Sequence, residues 1–332
     1  MPTSLVTGGA GFIGSHVADE LLKRGHRVVV VDDLSGGSLG NLSSAADYTF
    51  VPVDITKSEQ VNDVFAGFKP DYVFHLAAYA AEGLSHFIRR FNYTNNVVGS
   101  ANLVNAAVNH GCKCFVFTSS IAVYGAGQAP FDEATPPAPD DPYGIAKLAV
   151  EMDLRAAHRM WRLPYVIFRP HNVYGERQNI GDRYRNVVGI FMNQCLCGEP
   201  MTIFGDGTQQ RAFTHVSDVA PIIAASAETP AAHEQTFNIG ADMPYSVNAL
   251  SACVAAVMDV PLRRTYLPAR EEAHAAFSSH KRLERVFERQ APMLLGTGLA
   301  QMAAWVRQHG ARSTPAFNGI EVREKLPPSW CV

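Results

Sequence analysis

Long apolar runs are missing from this 332-residue chain; none approaches the roughly 18 residues that a membrane-spanning helix needs. An excess of charge is missing too, with 28 Lys and Arg against 31 Asp and Glu and a net charge of −3. That balance lacks the basic footprint of a nucleic-acid binder. Cysteines are few, six in all, and none has the Cys-x-x-Cys spacing of zinc ribbons. Cys112/Cys114 and Cys195/Cys197 are Cys-x-Cys pairs, the first beside the apolar run Phe115-Val116-Phe117, the second in a helical pattern. They read as buried, reduced thiols, and no metal site is expected. Met1-Pro2-Thr3-Ser4-Leu5-Val6 enters strand-like sequence without the basic and apolar regions of a signal peptide. The expectation is a cytoplasmic protein with neither a membrane nor a nucleic-acid partner. The length and the 47% hydrophobic content suit one large or two modest domains.

What is present is an alternation of strand and helix. Strands are predicted at Ser4–Thr7, His26–Val31, Tyr48–Val53, Tyr72–Leu76, Cys114–Ser119 and Tyr165–Arg169, and helices at Phe12–Arg24, Ser58–Phe65, Asn95–Asn109 and Tyr143–Met160. The all-apolar strands suit a sheet covered on both faces. The fold class is α/β, a doubly wound parallel (Rossmann) sheet. After Gly175 the pattern loosens, but His215–Glu228 and Thr236–Gly240 can return to the sheet as a helix and a strand. The expected division is a first domain of residues 1–175 plus about 213–240, a smaller α/β substrate-binding lobe of 176–212 plus 241–312, and a surface tail of 313–332.

The first strand ends in Thr7-Gly8-Gly9-Ala10-Gly11-Phe12-Ile13-Gly14. Glycines between a strand and a helix let backbone N–H groups approach a pyrophosphate. The second strand ends at Asp32-Asp33, where an acid accepts hydrogen bonds from adenosine ribose hydroxyls and repels a 2′-phosphate, so NAD is expected rather than NADP. Further on stands Tyr143-Gly144-Ile145-Ala146-Lys147. A spacing of four places both side chains on one helical face. A lysine cation beside a phenol favours phenolate, so a lowered tyrosine pKa and proton exchange with a substrate hydroxyl are expected.

With these motifs the chain resembles the extended short-chain dehydrogenase/reductase family, and within it the nucleotide-sugar epimerases. Asp54-Ile55, His75-Leu76-Ala77-Ala78, Asn95-Asn96, Ser119-Ser120-x-x-Val123-Tyr124-Gly125, Arg169-x-x-Asn172-Val173-Tyr174-Gly175 and Gly205-Asp206-Gly207-x-Gln209-x-Arg211-x-Phe213 carry the resemblance as far as about Lys281. It implies that Gly8, Gly11, Phe12, Ile13, Asp32 and Asp33 hold NAD, with Asp54 and Ile55 at the adenine. Leu76, Ala77 and Ala78 would line the dinucleotide, and Asn96 would steady its surroundings. Lys147 would also bond the nicotinamide ribose. Ser120 and Tyr143 would meet the sugar hydroxyl. Asn172, Arg211 and Arg270 would grip the diphosphate, with Val187, Thr202 and Phe204 in the substrate site. The relatives also imply a homodimer, through the apolar faces of Asn95–Asn109 and Tyr143–Met160.

Two departures bear on the reaction. Family dehydratases carry Asp-Glu after the residue matching Ser120, and decarboxylases tend to carry Glu at the second of those positions. Here Ile121 and Ala122 stand there, and neither transfers a proton. The loop Tyr79–His86 differs from the familiar 4-epimerase pattern and offers Glu82, Ser85 and His86 to the sugar, whereas Arg89 and Arg90 read as a solvated helix face. Arg270-Glu271-Glu272-Ala273-His274 replaces the usual Arg-x-Gly-Asp, and Phe277 falls near a size-gating position. The expectation is an NAD-dependent nucleotide-sugar epimerase, first UDP-glucose/UDP-galactose 4-epimerisation. Rivals are epimerisation of a UDP-uronate or pentose, or of a GDP-sugar at C3 and C5 with His86 and His171 as candidates. A non-catalytic NAD sensor of the same fold is the reading from another class.

Overall fold

The computed structural model describes residues 1–43, 47–270, 272–288 and 291–330. Strands β1 (Thr3–Thr7), β2 (Arg27–Asp32), β3 (Tyr48–Pro52), β4 (Tyr72–His75), β5 (Cys114–Thr118) and β6 (Tyr165–Pro170) join Gln235–Ile239 in one sheet. The order is Gln235–Ile239, β6, β5, β4, β1, β2, β3, and every pairing is parallel. The chain winds outward from β1 to β3, then restarts at β4 on the other side of β1. That reversal leaves a crevice at the carboxyl ends of β1 and β4, where doubly wound sheets bind ligands.

The helices are α1 (Phe12–Lys23), α2 (Ser58–Phe68), α3 (Glu82–Ser85), α4 (Arg89–Tyr93), α5 (Gly99–Asn109) and α6 (Pro142–Trp161), followed by those of the smaller lobe. Alternate strand residues point to opposite faces. Val6, Val28, Val30, Phe74 and Val116 meet Val17 and Leu21 of α1 on one side. Leu5, Val29, Val73, Phe115 and Phe117 meet Phe65, Leu103 and Leu154 of α2, α5 and α6 on the other. A third core (Phe191, Ile203, Phe213, Leu250, Leu299 and Val306) lies under Val187–Leu196, Val247–Met258 and Leu295–His309. Within 241–312, Leu283 and Phe287 join the core of the large sheet, the Phe287 ring lying 5.5 Å from Phe237 and 6.1 Å from Phe168.

The helix expected over Asn95–Asn109 starts earlier, at Arg89, and passes through a π-helical segment, Thr94–Val98, before α5. Such wide turns leave no periodicity signal and often mark functional sites. This one carries Asn96, whose amide accepts from Tyr79 N–H at 2.9 Å and donates to Tyr79 C=O at 3.1 Å. Residues 313–330 cross to the large domain, where Phe317 packs on Tyr79 and Phe91, and Trp330 is buried against Ala81 and Leu84; residues 331 and 332 lie outside the described residues. Cys112 and Cys114 are buried, but Cys195 is only half-buried and Cys197 is exposed, against expectation, because they sit in the last turn of Val187–Leu196 and just past it. Among the described residues, no helix is long and apolar enough to cross a membrane.

Candidate active site

A cleft of about 890 Å³ runs from the glycine turn to the smaller lobe. At its first end Gly8 has φ +66°, and a Cβ there would stand 2.7 Å from Ala77 N. At Gly14 a Cβ would fall on the Gly8 carbonyl. The turn therefore packs backbone on backbone, and α1 begins at Phe12 with no side-chain cap on its first N–H groups. Those donors and the glycine N–H groups are the cradle an anionic dinucleotide needs. Asp32 accepts from Ala10 N–H at 3.1 Å and Leu34 N–H at 2.8 Å, and burial pushes its carboxyl up. Asp33 accepts from Ser35 N–H and Oγ–H at 2.9 and 2.6 Å. Gly11, Phe12, Ile13, Asp32, Asp33, Ile55, Leu76, Ala77 and Ala78 all line this end. Asp54 does not; its carboxylate closes a turn on Thr56 N–H (2.9 Å) and Oγ–H (2.7 Å). Asn96 is buried behind the wall and acts on it through Tyr79. The glycine cradle and the acid after β2 fit NAD.

At mid-cleft, Asp141 starts α6 by accepting from Tyr143 N–H (2.8 Å) and Gly144 N–H (3.0 Å), with Pro142 at the first helical position. This presents Tyr143 and Lys147 to the cleft beside Ser120, as their spacing predicts. The pKa expectation is corrected. Burial pushes the Tyr143 phenol above its ordinary value; the Ser120 hydroxyl pulls it back, and Glu82 and Asp141 push it further up. Lys147 is not among those main influences. Its ammonium donates to Thr118 C=O at 2.8 Å and lies 5.7 Å from the Tyr143 ring centre. Burial pushes Lys147 itself down to about 7, opposed by Glu151. Ile121 and Ala122 line the cleft as apolar wall.

At the far end, Asn172 lines the cleft with φ +41°, a strained value for a side-chain-bearing residue. Arg211 donates to the carbonyls of Gln210 (2.8 Å), Ala273 (2.6 Å) and His274 (3.2 Å) and pairs with Glu272 at 3.3 Å. Arg270 pairs with the same Glu272 at 3.3 Å and stacks on Phe204 at 4.6 Å. Val187, just past the Asn186 cap, and Thr202, bonded to Gln194 at 2.9 Å, complete this wall. Glu82 is exposed in the cleft, with the surrounding protein partly desolvating its carboxyl. This desolvation, and then Asp141, pushes its carboxyl up to about 7, opposed by Arg211 and Arg270.

Ser85 is corrected: it does not face the sugar. It is 1% exposed, donates to Glu82 C=O at 2.6 Å and accepts from Tyr143 N–H at 3.2 Å, so it braces the start of α6. Phe277 is corrected too, since Ala276 lines the cleft while Phe277 C=O accepts from Phe131 N–H at 3.0 Å. His86 and His171 line the cleft, Arg89 and Arg90 are exposed, and Glu271 lies outside the described residues. Sequence reading missed Asp141, Glu272, Arg185 and Gln178. Asp141 before Pro142 is a helix-start signature; the others carry no local signal.

The NAD dependent epimerase/dehydratase family profile matches residues 4–240. UDP-glucose 4-epimerase of Mycolicibacterium smegmatis is 36% identical over 310 residues, covering 92% of this chain and 98% of the relative. The crystal structure of Thermotoga maritima UDP-glucose 4-epimerase with UDP-glucose superposes with a TM-score of 0.88 at 33% identity, over 92% of this chain and 99% of that one. UDP-glucuronic acid 4-epimerase of Bacillus cereus, with UDP-glucuronic acid and NAD, gives 0.84 at 28% identity over the same shares. With its glycine cradle, its Tyr143/Lys147 pair and these likenesses along nearly the whole length, the chain belongs to the NAD dependent epimerase/dehydratase family.

Proposed function

We propose that this protein is an NAD-dependent UDP-glucose/UDP-galactose 4-epimerase. The observation that carries the reading is the Ser120–Tyr143–Lys147 group at mid-cleft, walled by Ile121 and Ala122 where elimination or decarboxylation requires acids. NAD, when bound, supplies a reversible hydride acceptor. The chain's own residues handle the proton and the grip. Tyr143, as phenolate, takes the proton of the sugar hydroxyl as that carbon becomes a ketone and returns it when the carbinol is restored with the other configuration; its ionisation against burial would draw on Ser120, Arg185 and the cationic charge that bound NAD would bring. Ser120 orients the hydroxyl, and Lys147 holds the floor beneath it through Thr118. Asn172, Arg211 and Arg270 retain the diphosphate while the sugar turns over. The guanidinium fork suits two phosphate oxygens at once.

The large sheet with residues 1–175 and about 213–240 is the cofactor domain in this reading, and 176–212 plus 241–312 form the substrate lobe, with Leu283–Phe287 returning to the sheet. Exposed Val98, at the end of the π-helical segment before α5, and Ile145 and Met152 on α6 support a homodimer. The five described cysteines, all free, support a cytoplasmic setting.

The test is conversion of UDP-galactose followed by NMR. Product UDP-glucose is expected, with deuterium at C4 retained in water. Washout of the label, or turnover by Tyr143→Phe at the unaltered rate, refutes the mechanism.

A further inference from the structure

Residues 176–185 leave the smaller lobe and cross to the cofactor side. Arg177 pairs with Asp19 of α1 at 2.7 Å, and a ring nitrogen of His16, also on α1, bonds Glu176 C=O at 3.1 Å. At the end of this crossing stands Arg185. Its guanidinium lies 5.3 Å over the Tyr79 ring, and its Nε is 2.9 Å from the Asp182 carboxylate. That ion pair lacks hydrogen-bond geometry, and the buried Nε–H has no acceptor. Among the described residues no hydrogen bond from the guanidinium is present, and the side chain faces the cleft.

The far end of the guanidinium reaches the loop after β2 that is fastened to the glycine turn. A Cβ on Gly36 would stand 2.8 Å from Arg185 Nη2. Gly37 beside it is packed on Ala10 of the turn, where a Cβ would stand 2.9 Å from the Ala10 carbonyl and from Asp32 Oδ1. Ser38 N–H and Asn41 Nδ2–H both donate to Ala10 C=O at 2.9 Å, locking the 36–41 loop to the turn. The side-chain-free edge at Gly36 is occupied by an arginine arriving from the other lobe. Among the described residues the Asp182 carboxylate is the ion-pair partner of this guanidinium, and it meets the Nε edge, not the Nη2 that faces Gly36.

We propose that Arg185 is a binding residue for the pyrophosphate of the dinucleotide, clamping it from the substrate-lobe side against the glycine turn. The planar fork with uncommitted N–H donors matches two phosphate oxygens. The inference rests on the NAD reading, and the test separates the two. Binding of ADP-ribose, adenosine and UDP is measured by calorimetry on protein stripped of bound dinucleotide, both unaltered and as Arg185→Ala, Arg185→Lys and Gly36→Val. Arg185→Ala should weaken ADP-ribose about ten- to a hundredfold, leaving adenosine and UDP unchanged. Arg185→Lys should recover only part of the loss, and Gly36→Val, which pushes the guanidinium aside, should mimic it. Unchanged ADP-ribose affinity in folded Arg185→Ala overturns the proposal. So does a loss falling on UDP, which would assign Arg185 to the substrate diphosphate. Failure of unaltered protein to bind ADP-ribose at all would overturn the NAD reading and the clamp with it.

Discussion

Replacing Glu82 by glutamine should turn a pH-dependent substrate filter into a constant one. Glu82 faces the cleft near Tyr143, Arg211 and Arg270, and its carboxyl is pushed up to about 7. Below that pH it is mostly neutral; above it, mostly carboxylate. A hexose presents a neutral C6 hydroxymethyl group, whereas a uronate presents a second carboxylate. Two unit charges about 5 Å apart at an effective dielectric of about 20 repel by about 3 kcal/mol, which is roughly a hundredfold in kcat/KM. A single carboxyl titrating near 7 changes its neutral fraction only about tenfold between pH 6 and pH 8, so the ratio of kcat/KM for UDP-glucose to that for UDP-glucuronate should rise about tenfold across that range. In Glu82→Gln the ratio should stay flat, near the low-pH value. The assay is steady-state epimerisation of both substrates across that range, with the ratio cancelling pH effects on Tyr143 common to both. A flat ratio in the unaltered protein refutes the charge argument, as does an unchanged slope in the variant.

Asp141→Ala removes the acceptor of two N–H groups at the start of α6. It should cost about 1 kcal/mol, seen as a melting temperature a few degrees lower, with kcat falling because Tyr143 loses its brace. Gly14→Ala places a methyl on the Gly8 carbonyl and should leave purified protein without NAD, read by absorbance after denaturation; normal dinucleotide content would contradict the cradle. Arg211→Lys keeps the charge but not the fork, so KM for UDP-galactose should rise about tenfold with kcat little changed; a fall in kcat alone would move Arg211 from anchor to chemistry.

The strands of the large sheet were legible because burial on both faces demands continuous apolar runs, as in Val28–Val31, and short turns punctuate them. The glycine turn was legible because backbone packing at Gly8 and Gly14 tolerates no side chain. Tyr143 and Lys147 were legible as a helical pair, but not the balance of forces on them. Spacing says nothing about desolvation, nor that Lys147 turns to Thr118 C=O. Ser85 and Phe277 show the same limit at shorter range: a residue next to a wall is not in it, and one step of register decides which. The small lobe is built from strands of two to four residues, too short to show a period. Arg185 meets Gly36 across a long separation that no local pattern encodes.

The strap of 313–330 has a consequence for biosynthesis. Its Glu321 accepts from Arg90 and Phe91 N–H at 2.7 and 2.9 Å, and Trp330 underlies Gly83. The segment that shapes the sugar end of the cleft is made early, but its support leaves the ribosome hundreds of residues later. The sugar end of the cleft therefore gains its backing only once residues 313–330 are made, after Leu283 and Phe287 have completed the core of the large sheet.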